Sequence, residues 1–430
     1  MSGLIEDVCG RIESSKEDLA EIALRLGNTY GPLGNEEPTA RVAYEWYRDN
    51  GMNADLVPMI EGRASTVGLL RGDGSGKSII FNAHLDTEAS GPEYDKLMNA
   101  PDPNKVGARR DGDHLIGHTV QNDRGCMSVQ MVAGRAIHQS GTVLKGDILL
   151  KSAAGETGAA PVDEYQGMQY ESKGLGTTWM VDRGYTADYA VIAETTDFSA
   201  SWVQCGATYF KVSFTGRNMY TPRLERPDGL ADHPNAIVRA AAVVTAIEAW
   251  AIEFEARRTV ETPCGTMAPK AQVGAFRGGL PWRPNRSSTY AALYVDVRTL
   301  PGEEVAPIHR ELTAVVRAID PAASVDITMS KAGFGATEEG IRPLIETIRN
   351  AHEYVRGEPM PDKAEPAVVS MWRDTNVYNR VGIPSLTFGP SRGQAAVQGT
   401  GSMELNNMIE GAKIYALTAL AIGGSITLGM

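Results

Sequence analysis

Histidine and cysteine are scarce in this chain. Its four cysteines, Cys9, Cys126, Cys205 and Cys264, are too few and too scattered for a disulfide framework or a cysteine-based zinc site. Its seven histidines can be weighed one at a time, and none follows His352. Basic residues also fall short: 41 Lys+Arg against 53 Asp+Glu leave a net charge of −12. Nucleic acid is therefore excluded as the main partner, because neutralising phosphates needs a cationic face. No apolar run reaches the ~20 residues of a membrane span. The longest, residues 414–430, is broken by Gly423 and Gly424 and reads as a buried terminal helix. Residues 1–18 carry early acids and no apolar signal core, so the expected compartment is the cytoplasm. Repeats and low-complexity tracts are also missing.

What is present is an ordinary globular composition, 42% hydrophobic and 22% charged, on 430 residues. That length suits two or three domains with cores that need no staples. Residues 15–26 place Leu19, Ile22, Ala23 and Leu26 on one helical face, and residues 37–51 do the same with Val42, Trp46 and Tyr47. Short apolar runs at 65–70, 78–84, 146–151 and 189–193 read as buried strands, with a helix over 125–140 between them.

Near residue 200 the pattern changes. Strand-like 207–214, a helix over 234–254, strands at 272–276 and 288–298, a helix over 303–319 and a strand at 324–329 give the order β-α-β-β-α-β. A helix over 341–355 and a strand at 384–388 then return to the first texture. The expected fold is α/β, a mostly parallel sheet flanked by helices, with an inserted α+β ferredoxin-like lid. The boundaries are 1–200 and 332–430 for the catalytic domain and 201–331 for the lid.

Chemistry-bearing residues recur at the ends of the expected strands. His84-Leu85-Asp86 closes the strand at 78–84, where open α/β sheets bind ligands. Asp86 is placed to accept the second imidazole N–H and so fix the tautomer a metal needs. Asp123, in Asn122-Asp123-Arg124-Gly125, precedes a helix; Glu156 and Glu194 follow the strands at 146–151 and 189–193. Any one of these acids alone reads as a cap or a loop residue. Together they mark one sheet edge. By contrast, Gly72 to Ser78 only mimics a phosphate loop: it is one residue short and leads into a strand instead of a helix.

These motifs resemble the M20 family of metallohydrolases. The resemblance covers nearly the whole chain and includes His84–Asp86, residues 122–125, Gly155-Glu156-Thr157-Gly158, Glu194, Asp296-Val297-Arg298, Gly382-Ile383-Pro384 and Phe388-Gly389-Pro390. It implies metal ligands at His84, Asp123 and Glu194. The family's second metal takes the second Glu of a Glu-Glu pair and a late His; here the pair reads Gly155-Glu156 and the late position is Thr400. The resemblance therefore implies one divalent ion, Mn2+ favoured by the oxygen-rich set and Zn2+ the alternative. Glu156 becomes the general base, with a residual ligand role as the other option.

In the lid, Tyr220 falls where family members place a carbonyl-polarising His, with interface packing as the plain alternative. Arg298 matches an Arg that binds a substrate carboxylate, or else forms a structural ion pair. Trp282, Arg283 and Arg373 complete the expected substrate-binding residues, suited to stacking on a flat ligand. The implied activity is hydrolysis of a C–N bond in a small carboxylate-bearing molecule by metal-activated water. The departures from the peptidase pattern point first to hydrolytic deamination of an activated aromatic amine, such as 5-nitroanthranilate to 5-nitrosalicylate with release of ammonia. Amide hydrolysis of an N-acyl amino acid or dipeptide is the alternative, and a non-catalytic binding protein of the same fold the second. A homodimer joined through the lid is implied by the resemblance alone.

Overall fold

The structure, a computed structural model, describes residues 2–87, 107–393 and 401–428. The chain divides into two compact units. One comprises residues 1–203, 335–364 and 373–430, and the other residues 204–334 and 365–372. The expected boundaries placed 365–372 in the catalytic domain. The short helix Pro366–Ser370 instead joins the inserted unit, where Ser370 Oγ accepts a 2.9 Å hydrogen bond from the Ala268 N–H.

The first unit holds a seven-stranded sheet. Its centre is parallel: Ile148–Ala153, Ile79–His84, Tyr189–Ala193 and Ser385–Phe388 run side by side in one direction. The first two are buried along their full length, as apolar runs covered on both faces must be. Both edges are antiparallel, so the sheet is mixed and not mostly parallel. The reason is local. Asn53–Ile60 and Arg63–Leu70 are joined by a tight turn with Gly62 at φ 81°, and strands so closely linked can only pair antiparallel. Arg63–Leu70 then pairs antiparallel with Ile148–Ala153, and Ala200–Ser201 with Ser385–Phe388. Helix Gly125–Gln139 is buried on nearly every side, and it packs against the apolar helix Leu405–Ile422. Among the described residues no helix is long and apolar enough to cross a membrane.

The second unit is an antiparallel sheet of four strands, in the spatial order Ala271–Gly278, Tyr290–Thr299, Gly206–Thr215, Ser324–Lys331. Burial alternates along Gly206–Thr215, so Phe210, Val212 and Phe214 face a core shared with Val243, Ile247, Trp250 and Phe254 of helix Ala236–Arg258 and Ile308, Leu312 and Val316 of helix Val305–Ile319. Asn235 caps the longer helix by accepting from the Ile237 N–H at 3.0 Å.

Candidate metal centre

The parallel strands of the first unit deliver their carboxyl ends to one place. His84 is the last residue of its strand and stands in register with Ala153 on the neighbouring strand. Glu156 follows that neighbour, and Glu194 directly follows Tyr189–Ala193. Asp123 lies in the turn Val120–Arg124 that opens helix Gly125–Gln139, after a cis Asn122–Asp123 peptide. Arg124, a residue the sequence reading gave no role, pins this turn. Its guanidinium is buried and donates to the carbonyls of Leu85, Leu26, Thr29 and Gly31 at 2.6–2.9 Å.

Ligand atoms of His84, Glu156 and Glu194 all fall within 4.8 Å of one another, and all three residues are buried. His84 Nε2 is 3.9 Å from Glu156 Oε2 and 3.9 Å from Glu194 Oε1. Beside them Asp123 Oδ2 accepts from the His84 backbone N–H at 3.2 Å, while its Oδ1 is buried without a hydrogen-bond partner among the described residues. A buried carboxylate oxygen left unpaired costs free energy unless a cation meets it. One imidazole and several carboxylates match the donor set of a divalent transition ion, so the residues fit the metal that the resemblance implies.

Asp86 departs from its expected role. His84 Nδ1 lies 2.7 Å from the Asp86 carbonyl oxygen and 3.9 Å from its carboxylate. The backbone carbonyl thus takes the Nδ1 proton and turns Nε2 to the cluster, where Asn122 Oδ1 is 3.1 Å away. The Asp86 carboxylate accepts instead from the backbone N–H groups of Glu156 and Thr157, at 2.9 and 2.7 Å, and from the Thr157 hydroxyl. It holds the loop that carries Glu156. A side chain two residues from the histidine was free to reach either partner, and two convergent amides outcompeted one imidazole.

Burial and neighbouring charges shift the titration of these groups. Burial works to lower the His84 pKa, but Asp123, Asp86 and Glu156 outweigh it and raise the imidazole above its ordinary value. Burial pushes the Asp123 carboxyl up to about 7. Asp86 remains below the usual carboxylate range: burial is opposed by His84 and by its hydrogen bonds from Thr157 and Glu156.

Arg373, expected to bind substrate, is buried with its guanidinium against Glu194 Oε2. The adjacent Asp374 accepts from Asn82 Nδ2 at 3.0 Å and from the Thr177 hydroxyl at 2.5 Å; burial first, and then Glu156, raises it to about 7. Gly155 has φ 72°, and a Cβ there would stand 2.6 Å from Arg63 Nη2. The sequence showed that a carboxylate is missing at this position; Arg63, which fills the space, left no local signal.

The remaining sequence-predicted residues belong to the second unit. Tyr220 and Trp282 are exposed, with Arg286 5.9 Å from the Tyr220 ring; Arg283 is exposed too. Arg298 donates to Asp296 Oδ2 at 2.8 Å and lines a cavity of about 590 Å3 with Lys270, Glu255 and Met371. Thr400 lies outside the described residues.

The fold defined by this geometry has well-separated relatives. Human carnosine dipeptidase 1 superposes with a TM-score of 0.69 at 14% identity, covering 98% of this chain and 99% of the other. The Bacillus subtilis YxeP protein, a dinuclear metal-binding peptidase of the M20 family, does so with a TM-score of 0.59 at 11% identity over 96% of this chain and 99% of that one. The chain thus has the M20 metallopeptidase fold. In sequence it is 26% identical over 222 residues to the N-formyl-4-amino-5-aminomethyl-2-methylpyrimidine deformylase of Bacillus subtilis, covering 49% of this chain and 48% of that protein. The match spans about half the length of that relative. No family model matches the chain.

Proposed function

We propose that the protein is a metal-dependent hydrolase of an amide C–N bond in a small molecule. The observation that carries this reading is the buried group of His84, Glu156 and Glu194, with the unpartnered Asp123 oxygen beside it. An amide is favoured over the aromatic amine expected from the sequence by the activities of similar proteins, a deformylase and a dipeptidase. An N-formyl or N-acyl amine is the substrate class proposed.

His84, Asp123 and Glu194 would hold one divalent ion, Mn2+ or Zn2+, which when bound supplies a Lewis acid and acidifies water. Glu156 serves as general base. Its backbone is clamped by Asp86, which fixes where the carboxylate can take a proton and return it to the leaving nitrogen. Arg298, Tyr220, Trp282 and Arg283 are assigned to substrate. A homodimer joined through the second unit belongs to the same proposal, and light scattering of the purified protein tests it.

Hydrolytic deamination of an activated aromatic amine is the second reading. Gly155 favours it, because the paired carboxylate of the peptidase pattern is missing there and a φ of 72° with Arg63 Nη2 2.6 Å from a Cβ disfavours any side chain. Product identity separates the two. Metal-loaded protein is incubated with N-formyl amines, N-acyl amino acids, dipeptides and 5-nitroanthranilate. An acid plus an amine supports the first reading, and ammonia with a hydroxylated ring supports the second. A metal-bound protein inert towards all four classes points to the non-catalytic binding role. Glu156→Gln is expected to lose about 10²–10⁴-fold in rate with metal content unchanged; full activity would refute the base assignment.

A further inference from the structure

The acids at the strand ends outnumber what one divalent ion neutralises. Asp123, Glu156 and Glu194 are each at most 7% exposed, so any charge they carry is held away from bulk water. Fully ionised, these three exceed one divalent cation by one negative charge, while the buried carboxylates of Asp86 and Asp374 are met by hydrogen bonds of their own. Arg373 supplies a single positive charge beside them. Arg373 is 5% exposed, its guanidinium pairs with Glu194, and the charges of Glu156 and Asp123 also act on it. An arginine cannot be deprotonated at working pH, so this charge is permanent.

We propose that the Arg373 guanidinium stands in the charge balance where a second metal ion would, so that each chain binds one divalent ion and no more. This rests on the metal-centre reading above. It adds a residue that enforces the metal count. Loss of ligands alone weakens a second site, whereas a fixed cation beside the same carboxylates opposes a second ion by direct repulsion, strongest where water is excluded. Arg373 is a positioning and charge-balancing residue here, not a catalytic one.

The test is metal stoichiometry, read without reference to activity. Metal-free wild type, Arg373→Lys and Arg373→Met are titrated with Mn2+ by calorimetry. The bound ions are then counted by elemental analysis after dialysis, with folding checked by circular dichroism. Wild type and Arg373→Lys are expected to saturate at one ion per chain. Arg373→Met is expected to bind a second ion at least about tenfold tighter than wild type does. Two ions in the wild type, or an unchanged single site in folded Arg373→Met, would overturn the proposal. Should Arg373→Met not fold, Arg373→Gln, which removes the charge but keeps polar groups beside Glu194, carries the same expectation and the same refutation. A wild-type chain that takes up no ion overturns the metal centre itself and this inference with it, an outcome distinct from two ions.

Discussion

Arg63 and Arg373 are both buried arginines of the first unit, and both face a glutamate, yet their surroundings differ in kind. Arg63 meets Glu36 in a two-pronged pair, Nε to Oε2 at 2.9 Å and Nη2 to Oε1 at 2.7 Å, with both side chains fully buried. Its remaining nitrogen donates to the carbonyls of Met168 and Glu171, and Glu36 also accepts from the Gly34 N–H. One charge answers one charge there. Around Arg373 three acids answer one guanidinium, and Asp123 Oδ1 stays unpaired. A closed network of this type holds structure together, while an open one with an excess of one sign waits for a ligand.

The sharpest way to break that comparison is to damage the closed pair. Glu36→Gln leaves the Arg63 charge buried without its counter-charge and is expected to cost about 3–5 kcal/mol of stability, read by urea unfolding. The Mn2+ content should be unchanged. Loss of metal with no loss of stability would mean that the Arg63 pocket serves the site, and the distinction would fail.

Both networks were unequally legible. His84, Asp123, Glu156 and Glu194 stood out because strand-end positions can be read from short apolar runs, and the structure brings them to one sheet edge. Glu36, Arg63 and Arg124 did not, since their partners are mostly backbone carbonyls or residues distant in sequence. The same limit affected the sheet. Its parallel centre follows from continuous apolar strands, but the antiparallel edge depends on a turn at Gly62 and on pairing between Arg63–Leu70 and Ile148–Ala153 that no local pattern encodes. Asp86 was found but misread: its spacing from His84 is compatible with both the imidazole and the Glu156 loop, and only the fold chooses.

Lys151 sharpens the contrast from a third position. It is a buried side chain with no carboxylate in hydrogen-bond contact among the described residues, donating to the Tyr185 carbonyl at 2.5 Å and lying 5.1 Å from the Tyr378 ring. Burial lowers its pKa to about 7, with Asp374 opposing. An unfolded lysine titrates near ~10.4. Between about 7 and 10 the unfolded chain therefore holds more protons at this site, and stability contributed here rises with pH across that window. The expected rise is about 3 kcal/mol. Unfolding free energies measured across pH 7 to 10 in wild type and Lys151→Met test it, because the variant should lose that part of the slope. Equal slopes would show that Lys151 is solvated in the folded protein.

The smallest effect is expected where the two arginine pockets come closest in sequence terms, at Gly155. Its neighbour Glu156 belongs to the open network, yet the space its own Cβ would need is filled by Arg63 of the closed one. Gly155→Ala combines a left-handed φ of 72° with a 2.6 Å approach to Arg63 Nη2. The guanidinium is held at every nitrogen, so the loop is the part that yields. The stability loss should be about 1 kcal/mol, well below that of Glu36→Gln. The activity loss should be disproportionate, about tenfold, because moving the loop shifts the Glu156 carboxylate relative to His84. If Gly155→Ala loses stability while keeping full rate, the closed pair is buffered from the site. If its rate falls about tenfold, beyond the loss of stability, the Arg63–Glu36 pair is the support on which the general base rests.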